Sequence, residues 1–216
     1  MLSNASMLPL GALMIGLAGP IVALVYERGA FDHQAASLVA SLLIAYGVGM
    51  PAYLARDVLV RVFYALGDAN TPFRWSVGGI GLNALFDWLL VGGPTPWTGL
   101  LLPKLYFGAP GLVLATALVN ILTGAGLLLV LHRRLGGLPL GTWGTDTGKL
   151  LVASVVGGGA AWLLATRVSW PAGLLGLLLQ NGLCAALAVG VYGSLGSWAG
   201  VPEVRELLRG LRPRRG

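Results

Sequence analysis

Residues 75–91 read WSVGGIGLNALFDWLLV, and this stretch decides the fold class. It is long and apolar enough for a helix that crosses the hydrocarbon core of a bilayer, yet it carries an amide at Asn83 and a carboxylate at Asp87. A carboxylate in hydrocarbon is costly, so it faces the interior of a helix bundle or a wet cavity and is a functional candidate by default. Residues four apart share one helix face, so the Asn83 amide oxygen and the Asp87 carboxylate can point into one small volume.

The surrounding composition agrees with a membrane setting. Of 216 residues, 56% are hydrophobic and 10% charged, with a mean hydropathy of +0.80, whereas soluble domains carry about a quarter charged residues. The expected fold is an all-α polytopic membrane helix bundle. At ~20 residues per span the chain holds six or seven spans and leaves no room for a soluble domain. The net charge of +6 does not point to nucleic acid, because the basic residues fall between apolar stretches and in the tail, where they report orientation. The single cysteine, Cys184, lies in an apolar run, which excludes an internal disulfide and a cysteine metal cluster and leaves a packing role. The opening MLSNASMLPLG has no basic n-region and no cleavage site. It is expected to be the entry to a helix whose preceding partners are missing rather than a secretory signal.

Six spans are expected, at residues 8–26, 35–66, 75–91, 111–131, 149–166 and 171–198. The first contains Pro20, which should kink it. The second runs on through Pro51, Arg56, Asp57 and Arg61. At 1.5 Å per residue it is ~48 Å long, so its charged end leaves the membrane or lines an aqueous cavity. The turn GDANTP, 67–72, closes it. The loop 92–110 reads as interfacial and the linker up to Asp146 as turn-rich, with Trp75, Trp97, Trp143 and Trp170 as belt residues near span ends. With the N-terminus inside, Arg56, Arg61, Arg74, Arg133, Arg134, Lys149 and the five tail arginines are cytoplasmic, against Arg28, Lys104 and Arg167 outside. Eleven against three places both termini in the cytoplasm. Many of the 34 glycines cluster within the spans, where they allow helices to approach closely and to bend or slide.

Depth can be compared across the 92–110 loop. Asp87 lies about six residues in from Gly93 and Thr116 about six in from Pro110, with Asn83 and Asn120 about ten in. If the two helices pack on their polar faces, Asn83, Asp87 and Thr116 converge, and the Leu112 carbonyl, one turn before Thr116, can complete a shell. Oxygen ligands with one carboxylate suit a hard monovalent cation, Na⁺ or a proton. The alternative is a buried interhelical hydrogen-bond network, and the sequence leaves both open. Arg56 and Arg61 could line a cavity and attract phosphate, or form an ordinary cytoplasmic helix end in which Asp57 pairs with Arg61. His33 and His132 are isolated, which argues against a metal cluster. No Ser/His/Asp set, HExxH, GxSxG or phosphate loop is present, so catalysis finds no support and no cofactor is expected beyond a possible Na⁺.

At PIVALVYERGAFD, 20–32, followed by AYGVGMPAYLARDVLVRVFYALGDANTP, 45–72, the sequence resembles the MurJ (MviN) family of lipid II flippases. The features that carry this are the loop Arg28-Gly29-x-Phe31, the helix end Arg61-x-Phe63-Tyr64 and the turn Asp68-x-x-Thr71-Pro72. The resemblance is strongest over 19–90. It implies the multidrug/oligosaccharidyl-lipid/polysaccharide exporter superfamily, in which two six-helix lobes enclose a cavity and alternate access across the bacterial cytoplasmic membrane, serving peptidoglycan biosynthesis, cell wall biogenesis and cell shape. By that mapping, 1–134 supply the last four helices of the second lobe. Residues 135–200 are a two-helix lipid-groove pair and 201–216 a basic cytoplasmic tail. The N-terminal lobe and the first two helices of the second are then missing, and with them most of a cationic cavity and a further acidic ligand. The expected partners are lipid II or a related polyprenyl-linked glycan, membrane lipids and the missing lobe. The resemblance also places Asn83, Asp87 and Thr116 where the second lobe has a proposed sodium site. The expected function is lipid II translocation by alternating access, in a fragment inactive alone; the alternatives are export of another lipid-linked glycan or drug, or a non-transporting scaffold in envelope synthesis.

Overall fold

The computed structural model describes residues 2–26, 33–92, 105–201 and 204. They form seven helices: α1 (Leu2–Gly16), α2 (Ala18–Tyr26), α3 (His33–Ala65), α4 (Asn70–Val91), α5 (Ala109–Arg134), α6 (Leu140–Arg167) and α7 (Leu174–Trp198). No strand occurs among the described residues. The chain divides into two compact units, one of Met1–Gly47 with Pro139–Gly216 and one of Val48–Leu138. In the first unit α1 packs with α6 and α7.

In the first unit, close helix approach rests on small residues. A Cβ on Gly16 would stand 2.6 Å from the Gly158 carbonyl oxygen, and one on Gly158 2.8 Å from that of Ala12; Gly157 meets the Ala188 carbonyl in the same way at 2.7 Å. These contacts let α6 lie against α1 on one side and α7 on the other. Two clusters fill the spaces along them: Ala5, Leu8, Leu150, Ala153 and Tyr192 in one, and Leu17, Ala161, Ala165, Cys184 and Ala188 in the other. Cys184 is thus a packing residue.

Prolines set the local geometry. Pro9 lies inside α1 and has no N–H for the Ala5 carbonyl four residues before it. The buried Tyr192 hydroxyl donates to that carbonyl at 2.6 Å, where an unmet acceptor would cost about 1–3 kcal/mol. Pro51 likewise removes the bond to Gly47, yet α3 continues for 33 residues, with the Gly47 carbonyl seated against Gly11. The expected kink at Pro20 is instead a break between α1 and α2, bent by 75°. Pro20 is the third residue of α2, within the first turn, where its missing N–H costs no helical bond.

In the second unit, α5 is the central helix. Its small residues receive α3, with Ala117 beside Gly49 and Gly124 beside Arg56, and α4, with Gly126 beneath the Trp75 ring. Trp75 therefore covers part of the α4–α5 seam while staying partly exposed. Phe63, Leu127 and Leu131 close the end of the unit. The returning segment satisfies the last carbonyls of α4: Leu105, Phe107 and Gly108 donate backbone N–H bonds to Leu89, Leu90 and Val91 at 2.8–3.0 Å. Gly111 then sits against the Leu90 carbonyl, where a Cβ would come to 2.7 Å. This holds α4 and α5 antiparallel and fixes the depth of their polar residues.

Four helices are long and apolar enough to cross a membrane, or five if the bent α1–α2 pair is one span, against the six expected. The helix that falls short is α4, which has 22 residues but is diluted by glycines, Asn83 and Asp87. Helix α6 begins nine residues before the expected Lys149, because Thr142 and Thr145 turn their hydroxyls back to the Pro139 and Thr142 carbonyls and so keep the linker helical.

Candidate functional site

Helices α3, α4 and α5 frame an open cavity of about 570 Å³, lined by Arg56 from α3, by Ser76, Asn83 and Asp87 among others from α4, and by Thr116, Asn120 and Thr123 from α5. The i, i+4 and i, i+7 spacing that puts Ser76, Asn83 and Asp87 on one helix face is legible in the sequence. Around them, α5 turns its polar groups inward. Thr116 Oγ1 donates to the Leu112 carbonyl at 2.9 Å, Asn120 Nδ2 to the Thr116 carbonyl at 2.7 Å and Thr123 Oγ1 to the Val119 carbonyl at 2.7 Å.

At the Asp87 end, Asn83 Nδ2 donates to Asp87 Oδ2 at 2.8 Å. The other carboxylate oxygen, Oδ1, is buried with no hydrogen-bond partner among the described residues. The Thr116 hydroxyl, with its proton committed to the Leu112 carbonyl, keeps lone pairs to offer. Asn83, Asp87 and Thr116 thus line one cavity. Leu112 does not line the cavity: its side chain is exposed and its carbonyl accepts the Thr116 bond.

At the other end, Arg56 Nη2 donates to Ser76 Oγ at 2.8 Å. Ser76 and Asp87 are eleven residues apart, roughly 16 Å along the helix. At that separation the guanidinium weakens a cation site by only about 1 kcal/mol at an effective dielectric near 20. The cavity therefore has a cationic end and an anionic end that do not cancel. Arg61 lies elsewhere. Its guanidinium is exposed and paired with Asp57 at 2.9 Å.

The family-motif residues fall into two groups. Arg28, Gly29 and Phe31 lie outside the described residues. In the turn after α3, Asp68 accepts the Thr71 backbone N–H at 3.0 Å and its hydroxyl at 2.6 Å, and Arg134 at the end of α5 pairs with it at 2.6 Å. Thr71 first, by its hydroxyl and then its N–H, and Arg134 after it, hold the Asp68 carboxyl down at about 2. Arg134 also stacks over Phe63, 5.6 Å from the ring centre. Pro72 is buried in the first turn of α4, and Tyr64 is exposed. Neither lines the cavity. The Asp68–Arg134 pair and the Arg56–Ser76 bond join distant parts of the chain, and no local spacing announces them.

The family model described as lipid II flippase MurJ matches residues 1–181. The chain belongs to the MurJ family. Among curated relatives, the probable lipid II flippase MurJ of Synechocystis sp. is 49% identical over 162 residues, covering 75% of this chain and 28% of that protein. The probable lipid II flippase MurJ of Rhizobium tropici is 30% identical over 214 residues, 96% of this chain and 37% of that protein. A solved structure of lipid II flippase MurJ in an inward closed conformation matches the fold with a TM-score of 0.69 at 22% identity, over 96% of this chain and 38% of that one. The chain thus spans about a third of the length of the MurJ proteins it matches, and its fold is the MurJ fold over that third.

Proposed function

We propose that this chain forms one part of a lipid II flippase of the bacterial cytoplasmic membrane, contributing helices that line the transport path. The observation that carries this is the cavity of α3, α4 and α5, which holds a guanidinium and a carboxylate at opposite ends within an apolar helix set. Lipid II joins a pyrophosphate-linked glycan headgroup to a polyprenyl tail, so its transport needs a wet polar cavity for the first and an apolar surface for the second. Arg56 is the residue here suited to phosphate, its fork matching paired oxygens. The exposed apolar faces of α6 and α7 offer the tail a place in lipid.

Asp87, Asn83 and Thr116 would supply the oxygen ligands of a monovalent cation, a reading supported by the buried Asp87 Oδ1, which has no hydrogen-bond partner among the described residues. Bound there, Na⁺ would neutralise Asp87 and draw α4 and α5 together. Asn83 holds the carboxylate in place through Oδ2, and Leu112 holds the Thr116 hydroxyl. A site of this kind biases an alternating-access equilibrium only through a difference in affinity between its two states. Helix α4 is taken as a sixth span, and the eleven-to-three excess of basic residues puts both termini in the cytoplasm.

The test is a chimera in which this chain replaces the matching segment of the Synechocystis sp. relative, expressed in cells depleted of their own flippase. Restored growth and lipid II exposure are expected. Failure to rescue, with normal insertion and expression, would favour another lipid-linked substrate or a scaffold role.

A further inference from the structure

The seam between α4 and α5 runs through Gly79, where a Cβ would lie 3.3 Å from both Val119 and Thr123. At 100° per residue, Ser76, Asn83 and Asp87 fall on one side of Gly79 around α4, and Trp75, Gly78 and Leu82 on the other. The first flank lines the polar cavity. The second forms a separate trough of about 370 Å³, lined by Arg74, Trp75, Gly78, Gly79, Leu82 and Thr123.

Its chemistry differs from that of the cavity. The Thr123 hydroxyl is turned to the Val119 carbonyl, and its methyl group is the part that meets Gly79. Gly78 leaves the floor open, with nothing within 4 Å of a Cβ built there. The single charged group is Arg74. It is exposed and has no hydrogen bond or ion pair among the described residues, unlike Arg56, Arg61 and Arg134.

Arg74 lies four residues into α4, about 6 Å from the helix start, and Leu82 lies about 12 Å beyond it. The trough therefore runs from headgroup level through most of one leaflet, whose hydrocarbon is about 15 Å deep. An unpaired guanidinium above an apolar channel of that length complements an anionic headgroup with an acyl chain beneath it. A zwitterionic headgroup brings its own cation to compete with Arg74 for the phosphate.

We propose that this trough, on the flank of α4 away from the polar cavity, binds an anionic phospholipid, with its phosphate on Arg74 and an acyl chain along Gly78, Gly79 and Leu82. The assignment requires α4 to span the membrane and is independent of what the cavity transports. The probe is brominated phosphatidylglycerol against brominated phosphatidylcholine, in vesicles containing the full chain with Trp75 as sole tryptophan. Phosphatidylglycerol is expected to quench Trp75 at several-fold lower mole fraction than phosphatidylcholine. Arg74→Gln should abolish the difference, and Gly78→Leu should reduce quenching by both lipids. Native mass spectrometry of the otherwise unmodified chain gives a second reading, with one fewer retained phosphatidylglycerol in Arg74→Gln. Equal quenching by the two lipids would mean ordinary annular contact. A preference surviving Arg74→Gln would put the headgroup elsewhere, and no quenching by either would mean that protein covers the trough; each of these overturns the proposal.

Discussion

The two carboxylate oxygens of Asp87 have different fates, one bonded to Asn83 and one buried without a partner among the described residues. An unmet buried acceptor costs about 1–3 kcal/mol, and a bound cation would remove that cost. Na⁺ should therefore raise the thermal unfolding midpoint of the wild-type chain above its value in choline chloride. Asp87→Asn should abolish the sodium effect, and an unchanged response in that variant would contradict the site. Asn83, Asp87 and Thr116 were legible because i, i+4 spacing and distance from a shared loop fix face and depth. Ser76 as the partner of Arg56 was not, since which rotamer a long arginine takes depends on a helix twenty residues away. The same holds for Asp68, whose Arg134 partner is set by how α5 returns. With the Asp68 carboxyl held at about 2, below the unfolded value of roughly 3.9, its contribution to stability is present above pH 4. It is lost as pH falls from 4 toward 2. Asp68→Asn should lower the unfolding midpoint at neutral pH and flatten this acid dependence. An acid profile identical to wild type would mean that the Asp68 bonds to Thr71 and Arg134 do not contribute to stability.

Among the helices, glycine position decides consequence more than glycine count. A Cβ on Gly158 would stand 2.8 Å from the Ala12 carbonyl oxygen, whereas one on the next residue, Gly159, would meet nothing within 4 Å. Gly158→Leu should thus push α1 from α6 and cost about 1–3 kcal/mol or more, while Gly159→Leu should leave the unfolding midpoint nearly unchanged. Equal effects would mean that the α1–α6 contact does not limit stability. Tyr192→Phe, by leaving the Ala5 carbonyl unmet beside Pro9, should cost about 1–3 kcal/mol, measured the same way. The course of α3 through Pro51 was readable, because a long apolar run with no other breaker carries the helix past one lost bond. The α1–α2 break and the early start of α6 were not. Both depend on how individual prolines and threonines dispose of backbone groups, which hydropathy does not record.

For the molecule as a whole, the membrane class and helical fold followed from composition, because few charges and long apolar runs admit little else. The span count did not, since α4 trades apolarity for the residues that line the cavity. Its topology remains measurable. With Cys184 replaced by Ala, a cysteine at Ser169 should react with an impermeant maleimide in intact cells and one at Gly136 should not; the reverse pattern would invert the assigned orientation. The central claim is that the cavity among α3, α4 and α5 is this chain's share of a lipid II path. The most direct test measures outer-leaflet lipid II in flippase-depleted cells carrying the chimera with the Synechocystis sp. relative. The native segment should restore exposure, and Arg56→Gln and Asp87→Asn should each reduce it at least tenfold at equal expression. Full exposure from the double variant would contradict the claim.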